Sequence, residues 1–113
     1  MPLSISQHTE HFATAPQISP QDMADIAALG FHTIINNRPD GEGGAEQPTS
    51  DAMANAAQAA GLAYHYLPVI SGQITPEQVA MFAALMKGAP GPVLAFCRSG
   101  ARSTNIWAMA LAQ

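Results

Sequence analysis

An α/β fold with a mainly parallel central sheet flanked by helices is predicted by three features of the sequence. Short apolar, β-branched or aromatic runs at 31–36 (FHTIIN), 62–69 (LAYHYLPV) and 92–97 (PVLAFC) alternate with longer helix-forming stretches. The helical stretches at 19–29 and 75–88 open on a capping residue followed by proline, and glycine or proline punctuates the junctions. Strands separated by helices are joined by crossovers, which place them parallel and lay the helices over both faces of the sheet.

The elements follow in order. The first fifteen residues give no clear element; the polar stretch around His8 and His11 is expected to fray and not to bind metal. Ser19 as cap, Pro20 at the first helical position and Asp22 in the first turn start a helix that runs to Leu29 and stops at Gly30. A strand at 31–36 enters the loop NNRPDGEGG, kept irregular by Pro39 and three glycines. The next helix spans about Thr49 or Ser50 to Ala60, and its alanines leave a thin apolar face suited to close packing on a sheet. After the strand at 62–69, Thr75-Pro76-Glu77-Gln78 repeats the helix-start signal, with Gln78 placed to complete a capping box, and the helix ends at Lys87-Gly88. PVLAFC reads as a strand buried on both faces, RSGAR as a tight loop, and Ser103 onward as a last helix. That helix reaches the chain end early, as expected of a piece cut from a longer polypeptide. Trp107, Met81, Met86 and Met109 are expected to pack helix faces against the sheet.

Composition narrows the function. The chain has 113 residues, the size of one domain spanning 1–113. With 48% hydrophobic and 11% charged residues it can build a core, and a net charge of -4 offers no basic stripe for nucleic acid. No secretory signal and no apolar run near the roughly 20 residues of a membrane span is visible, so no membrane partner and a cytoplasmic location are expected. A single cysteine excludes an intramolecular disulfide, no Cys/His spacing suggests a metal site, and the reading calls for no cofactor.

That cysteine sits where chemistry is expected. A buried strand ending in Cys97 and turning through RSGAR into a helix puts the sulfur at the carboxyl edge of a parallel sheet, where ligands bind in open α/β folds. Backbone N–H groups of Arg98, Ser99, Gly100 and Ala101, with those at the helix start, would face an anion, and the same field, reinforced by Arg98 and Arg102, would hold Cys97 as a thiolate. Gly100 fits the tightest point of the turn, and Ser103 is placed to donate its hydroxyl to the thiolate. Arg38 and Asp40 are possible substrate contacts if their loop lines the same edge; Asp40, Glu42 and Glu77 read first as turn and helix-start residues, and His65 as structural.

The loop CRSGARS resembles the anion-binding loop shared by cysteine phosphatases and rhodanese sulfurtransferases. The wider chain, from Pro16 to Leu111, resembles the phosphatase-like domain of the beta-lactamase hydrolase-like proteins in QISPQDMADIAALGF, TIINNRPDGE, AAGLAY, SGQITPEQV and PVLAFCRSGARS. The resemblance implies a dual-specificity-phosphatase-like fold with its active-site loop between the last strand and the following helix, Cys97 as nucleophile and Arg102 as loop arginine. It also implies, from relatives in which the domain is fused to one, a persulfide dioxygenase as a partner.

Phosphate and sulfur are separated by a count. Four residues lie between Cys97 and Arg102, a C-x4-R loop of rhodanese-like length, against the C-x5-R of phosphatases of this fold. A phosphate ester expels an oxyanion that normally needs a positioned acid, and Pro68-Val69-Ile70-Ser71-Gly72-Gln73, where an acid is expected, has no carboxylate. The expectation is therefore a sulfurtransferase that forms a persulfide on Cys97 from thiosulfate or a related donor and passes it to a thiol or cyanide. The alternatives are a phosphatase working on phosphate esters through phosphocysteine, and a non-catalytic anion-binding module.

Overall fold

The computed structural model describes residues 3–113. The chain opens on β1 (Ser6–Thr9) and β2 (Phe12–Ala15), then passes through a 3-10 turn at Pro20–Asp22 into α1 (Met23–Ala28). β3 (Thr33–Asn36), α2 (Ser50–Ala59), β4 (Ala63–Tyr66), α3 (Pro76–Gly88), β5 (Val93–Phe96) and α4 (Ala101–Leu111) follow. The sheet order is β1-β2-β5-β3-β4, with β1 antiparallel to β2 and every other pairing parallel.

The hairpin at 6–15 corrects the expectation that the N-terminal segment frays, an expectation whose residues 1 and 2 lie outside the described residues. β2 lies between β1 and β5, and Phe12, Ala13, Thr14 and Ala15 are all buried. His8 is equally well held: its Nε2 lies 2.8 Å from Thr14 Oγ1 and its ring packs on Trp107. Four-residue strands with a polar first partner carry too little periodicity to stand out in sequence.

Strand alternation divides the core into two layers. Ala13, Ala15, Ile34, Leu94 and Phe96 face α1 and α2 through Met23, Ile26, Met53 and Ala57. Phe12, Ile35, Val93 and Ala95 face α3 and α4 through Val79, Phe82 and Ile106. β5 lies at the centre, each of its residues no more than 1% exposed, as a strand covered on both faces requires. Trp107 and Met86 pack against the second layer as expected, but Met81 and Met109 are about half exposed, at 55% and 48%, on the outer faces of their helices.

The helix starts form as their sequences dictate. Asp22 Oδ2 accepts from the Ser19 N–H at 2.8 Å. Thr75 Oγ1 accepts from the Gln78 N–H and Gln78 Oε1 from the Thr75 N–H, a reciprocal capping box. Among the described residues no helix is long and apolar enough to cross a membrane, and no cluster of three His, Cys, Asp or Glu could hold a metal ion.

Candidate functional site

The site lies at the carboxyl ends of β3 and β5. Cys97 is the first residue beyond β5, and the chain turns through Arg98, Ser99 and Gly100 directly into α4. Gly100 makes this turn in the left-handed region, at φ 94°, where a Cβ would also press on the Ala15 backbone at 3.4 Å. The end of β2 thus backs the loop, and the Gln17 N–H donates to the Arg98 carbonyl at 3.1 Å. α4 begins at Ala101, two residues earlier than Ser103, because Gly100 supplies the turn and the helix can start at once.

Cys97 is fully buried, and its Sγ accepts the Gly100 N–H at 3.1 Å. Burial by itself pushes the thiol up, but backbone N–H groups of Ser103, Gly100, Ser99 and Arg102 outweigh it and bring the Cys97 pKa below the ordinary thiol value. These are the unsatisfied donors of a helix start and its approach loop, aimed at one sulfur. The Ser103 hydroxyl does not point there, contrary to expectation: it donates to Asn37 Oδ1 at 2.8 Å, because Asn37, held by its Nδ2 on the Leu67 carbonyl, presents a fixed acceptor. Ser103 serves the sulfur through its backbone instead.

A cleft of about 760 Å³ opens over the loop, walled by Arg38, Glu42, Arg98, Ser99, Ala101 and Arg102 together with Gly43 and Ser71. Three arginines and one carboxylate therefore meet there. Arg102 donates from Nη1 and Nη2 to the two carboxylate oxygens of Glu42, each at 2.7 Å, and from Nη1 to the Val69 carbonyl at 2.8 Å. Arg38 donates from Nε to Glu42 Oε1 at 3.0 Å and from Nη1 to Gln17 Oε1 at 3.1 Å. The Arg102 guanidinium first, and Arg38 after it, overcome burial and hold the Glu42 carboxyl down at about 2. Glu42 raises Arg102 in turn.

Glu42 corrects its reading as a plain turn residue. The i,i+4 spacing to Arg38 was visible in sequence, but the pairing with Arg102, sixty residues away, depends on the loop folding back over α4. Asp40, a possible contact, is turned away: its Oδ1 accepts the Ser50 N–H at 2.7 Å at the start of α2, and its own N–H donates to the Tyr66 hydroxyl at 2.8 Å. It anchors the loop that carries Glu42. Asn36 likewise works locally, its Oδ1 accepting the Arg38 N–H. A second cavity, of about 470 Å³ between Ile5, Leu29 and Phe31, has no nucleophile in its wall.

Comparison with known proteins places this geometry. The family model for the phosphatase-like domain of the beta-lactamase hydrolase-like protein matches residues 4–113. The chain belongs to this family. A beta-lactamase hydrolase-like protein of Xylella fastidiosa (strain Temecula1) is 36% identical over 107 residues, covering 95% of this chain and 25% of that protein. The chain thus spans about a quarter of the length of the curated relatives it matches. A crystal structure from Neisseria meningitidis Z2491, provisionally described as a phosphatase, is 38% identical with a TM-score of 0.84, covering 91% of this chain and 72% of that one. Pseudomonas aeruginosa TpbA, in a cysteine-to-serine form complexed with phosphotyrosine, shares the fold at 17% identity and a TM-score of 0.70, covering 93% of this chain and 60% of that one. The beta-lactamase hydrolase-like domain therefore has the cysteine-phosphatase fold of the dual-specificity type.

Proposed function

We propose that the domain hydrolyses phosphate monoesters through a covalent phosphocysteine. The observation that carries this reading is a buried Cys97 at the loop before α4, its Sγ accepting the Gly100 N–H and its thiol lowered by the backbone of the loop and helix start, on a fold whose relatives are described as phosphatases. The thiolate attacks phosphorus, the P–S bond forms, and the ester P–O bond breaks with its electron pair going to the leaving oxygen. Loop N–H groups from Arg98 to Arg102, with the Arg102 guanidinium, receive the phosphoryl oxygens, and Arg38 and Arg98 add positive potential at the rim. Water then attacks phosphorus, breaks the P–S bond and returns the thiolate.

An aryl ester suits this site best. A phenoxide is a far better leaving group than an alkoxide, and the carboxylate at hand, Glu42, is ionised and fully engaged by two arginines in the resting site. The phosphotyrosine bound by TpbA, a protein of the same fold, supports an aromatic phosphate as the substrate class.

Sulfur transfer, the first expectation from sequence, is the second reading. The four-residue spacing between Cys97 and Arg102 favours it, whereas the relatives described above favour phosphate. Paired assays on wild type and Cys97→Ser decide: aryl phosphate hydrolysis that depends on Cys97 is expected, and thiosulfate-to-cyanide transfer without hydrolysis would replace this reading with the sulfur one. Loss of both activities, with oxyanion binding intact, would leave a binding module.

A further inference from the structure

The roof of the site is itself an anion. Glu42 takes three guanidinium N–H groups, two from Arg102 at 2.7 Å and one from Arg38 at 3.0 Å, with its side chain 28% exposed. A forked pair of this kind is the geometry in which an arginine receives two oxygens of a phosphate or sulfate. The carboxylate thus occupies the loop arginine on which the oxygens of a substrate at the Cys97 sulfur would sit. Beneath it Cys97 is fully buried and forms no part of the cleft wall.

We propose that Glu42 is the built-in competitor of the anion site: it holds Arg102 and Arg38 while the loop is empty, is displaced by the incoming oxyanion, and is neutralised by a proton as it leaves. The inference rests on the reading of the Cys97 loop as an oxyanion site. The charged groups around Glu42 are Arg38 from its own loop, Arg102 from α4 and, in the same cleft, Arg98 from the loop after β5. Asp40 is tied to α2 and takes no part. Once a dianion takes Arg102, the freed carboxylate has lost its main partner and faces two new negative charges, which favours its protonated form.

Selection follows from the same exchange. A carboxylate ligand replaces Glu42 with an equal and gains little, whereas a dianion with three free oxygens engages Arg102 and the loop N–H groups together. The site thereby rejects ordinary carboxylates and keeps phosphate-like groups.

Sulfate, a dianion throughout the range used, is the probe, titrated calorimetrically at about pH 5.5 and about pH 7.5 into wild type, Glu42→Gln and Arg102→Ala. Glu42→Gln is expected to bind sulfate on the order of tenfold more tightly at the higher pH, the size of one charge-assisted pair, with the gain shrinking at the lower pH. Arg102→Ala should lose sulfate at both. Equal or weaker binding by a folded Glu42→Gln would overturn the proposal. Should that variant not fold, wild type alone suffices: sulfate binding at the lower pH in two buffers of different ionisation heat should reveal proton uptake, and no uptake would overturn it. If Glu42→Gln gains affinity while aryl phosphate is not hydrolysed, the reaction assignment falls and the competitor stands; hydrolysis without the gain means the reverse.

Discussion

Cys97 and Glu42 both owe their charge to donors that overcome burial. For Cys97, burial opposes the thiolate and backbone N–H donors win, so its titration lies below that of an ordinary thiol. The alkylation rate of Cys97 against pH should accordingly have its midpoint below that of a free thiol; a midpoint at or above the free-thiol value would contradict it. Glu42 is lowered from 4.5 to about 2, which means the folded state binds the proton less readily than the unfolded chain. Its contribution to stability is therefore complete above the ordinary carboxylate range and is lost as pH falls toward 2. Chemical denaturation between about pH 5 and pH 3 should show wild type losing stability more steeply than Glu42→Gln; parallel profiles would show that the pairing contributes nothing to folding. The cysteine was legible in sequence because strand, loop and helix start are all local. Glu42 was not, because nothing within ten residues of it announces a partner on α4.

Local signals also explain which elements could be read in advance. Thr75-Pro76 encodes a helix start through a cap oxygen and a proline that needs no N–H donor, and α3 begins there; Ser19-Pro20 opens the 3-10 turn that leads into α1 at Met23. Thr75→Ala should remove the cap on α3 at a loss of about 1 kcal/mol, with hydrolysis unchanged, since α3 packs behind the sheet and away from the cleft. Gly100 is the contrasting case. Its φ of 94° and the nearby Ala15 backbone leave no comfortable place for a Cβ. Gly100→Ala should lose roughly 1–2 kcal/mol of stability from the left-handed backbone alone, and oxyanion affinity with it, because the Gly100 N–H is one of the donors on Cys97. Wild-type affinity in a destabilised Gly100→Ala would separate the turn from the site. The hairpin of β1 and β2 had no such signal; FATA is short, half small residues, and identified as a strand by its neighbours β1 and β5.

Placing β2 against β5 determines how the molecule supports its chemistry. β5 ends at Cys97, flanked on one side by β2, whose end backs Gly100, and on the other by β3, whose following loop brings Arg38, Asn37 and Glu42 across to α4. The alternation of strands and helices predicted the sheet and the edge on which the site would lie; the order of strands, and with it the meeting of residues 38–42 with 97–103, is a product of tertiary packing. Phe12 joins the hairpin to the second core layer, stacked on Trp107 at 4.9 Å and edge-on to Phe82 at 6.0 Å. Phe12→Ala should cost about 3–5 kcal/mol in denaturant unfolding, far more than a frayed terminus would. The central claim, that this fold uses Cys97 to carry a phosphoryl group, is tested most directly by intact-mass analysis of protein quenched in acid after brief mixing with an aryl phosphate. Wild type is predicted to gain one phosphoryl group on Cys97, and Cys97→Ser none. Unchanged mass under these conditions, with one sulfur atom gained on Cys97 after thiosulfate, would contradict the claim.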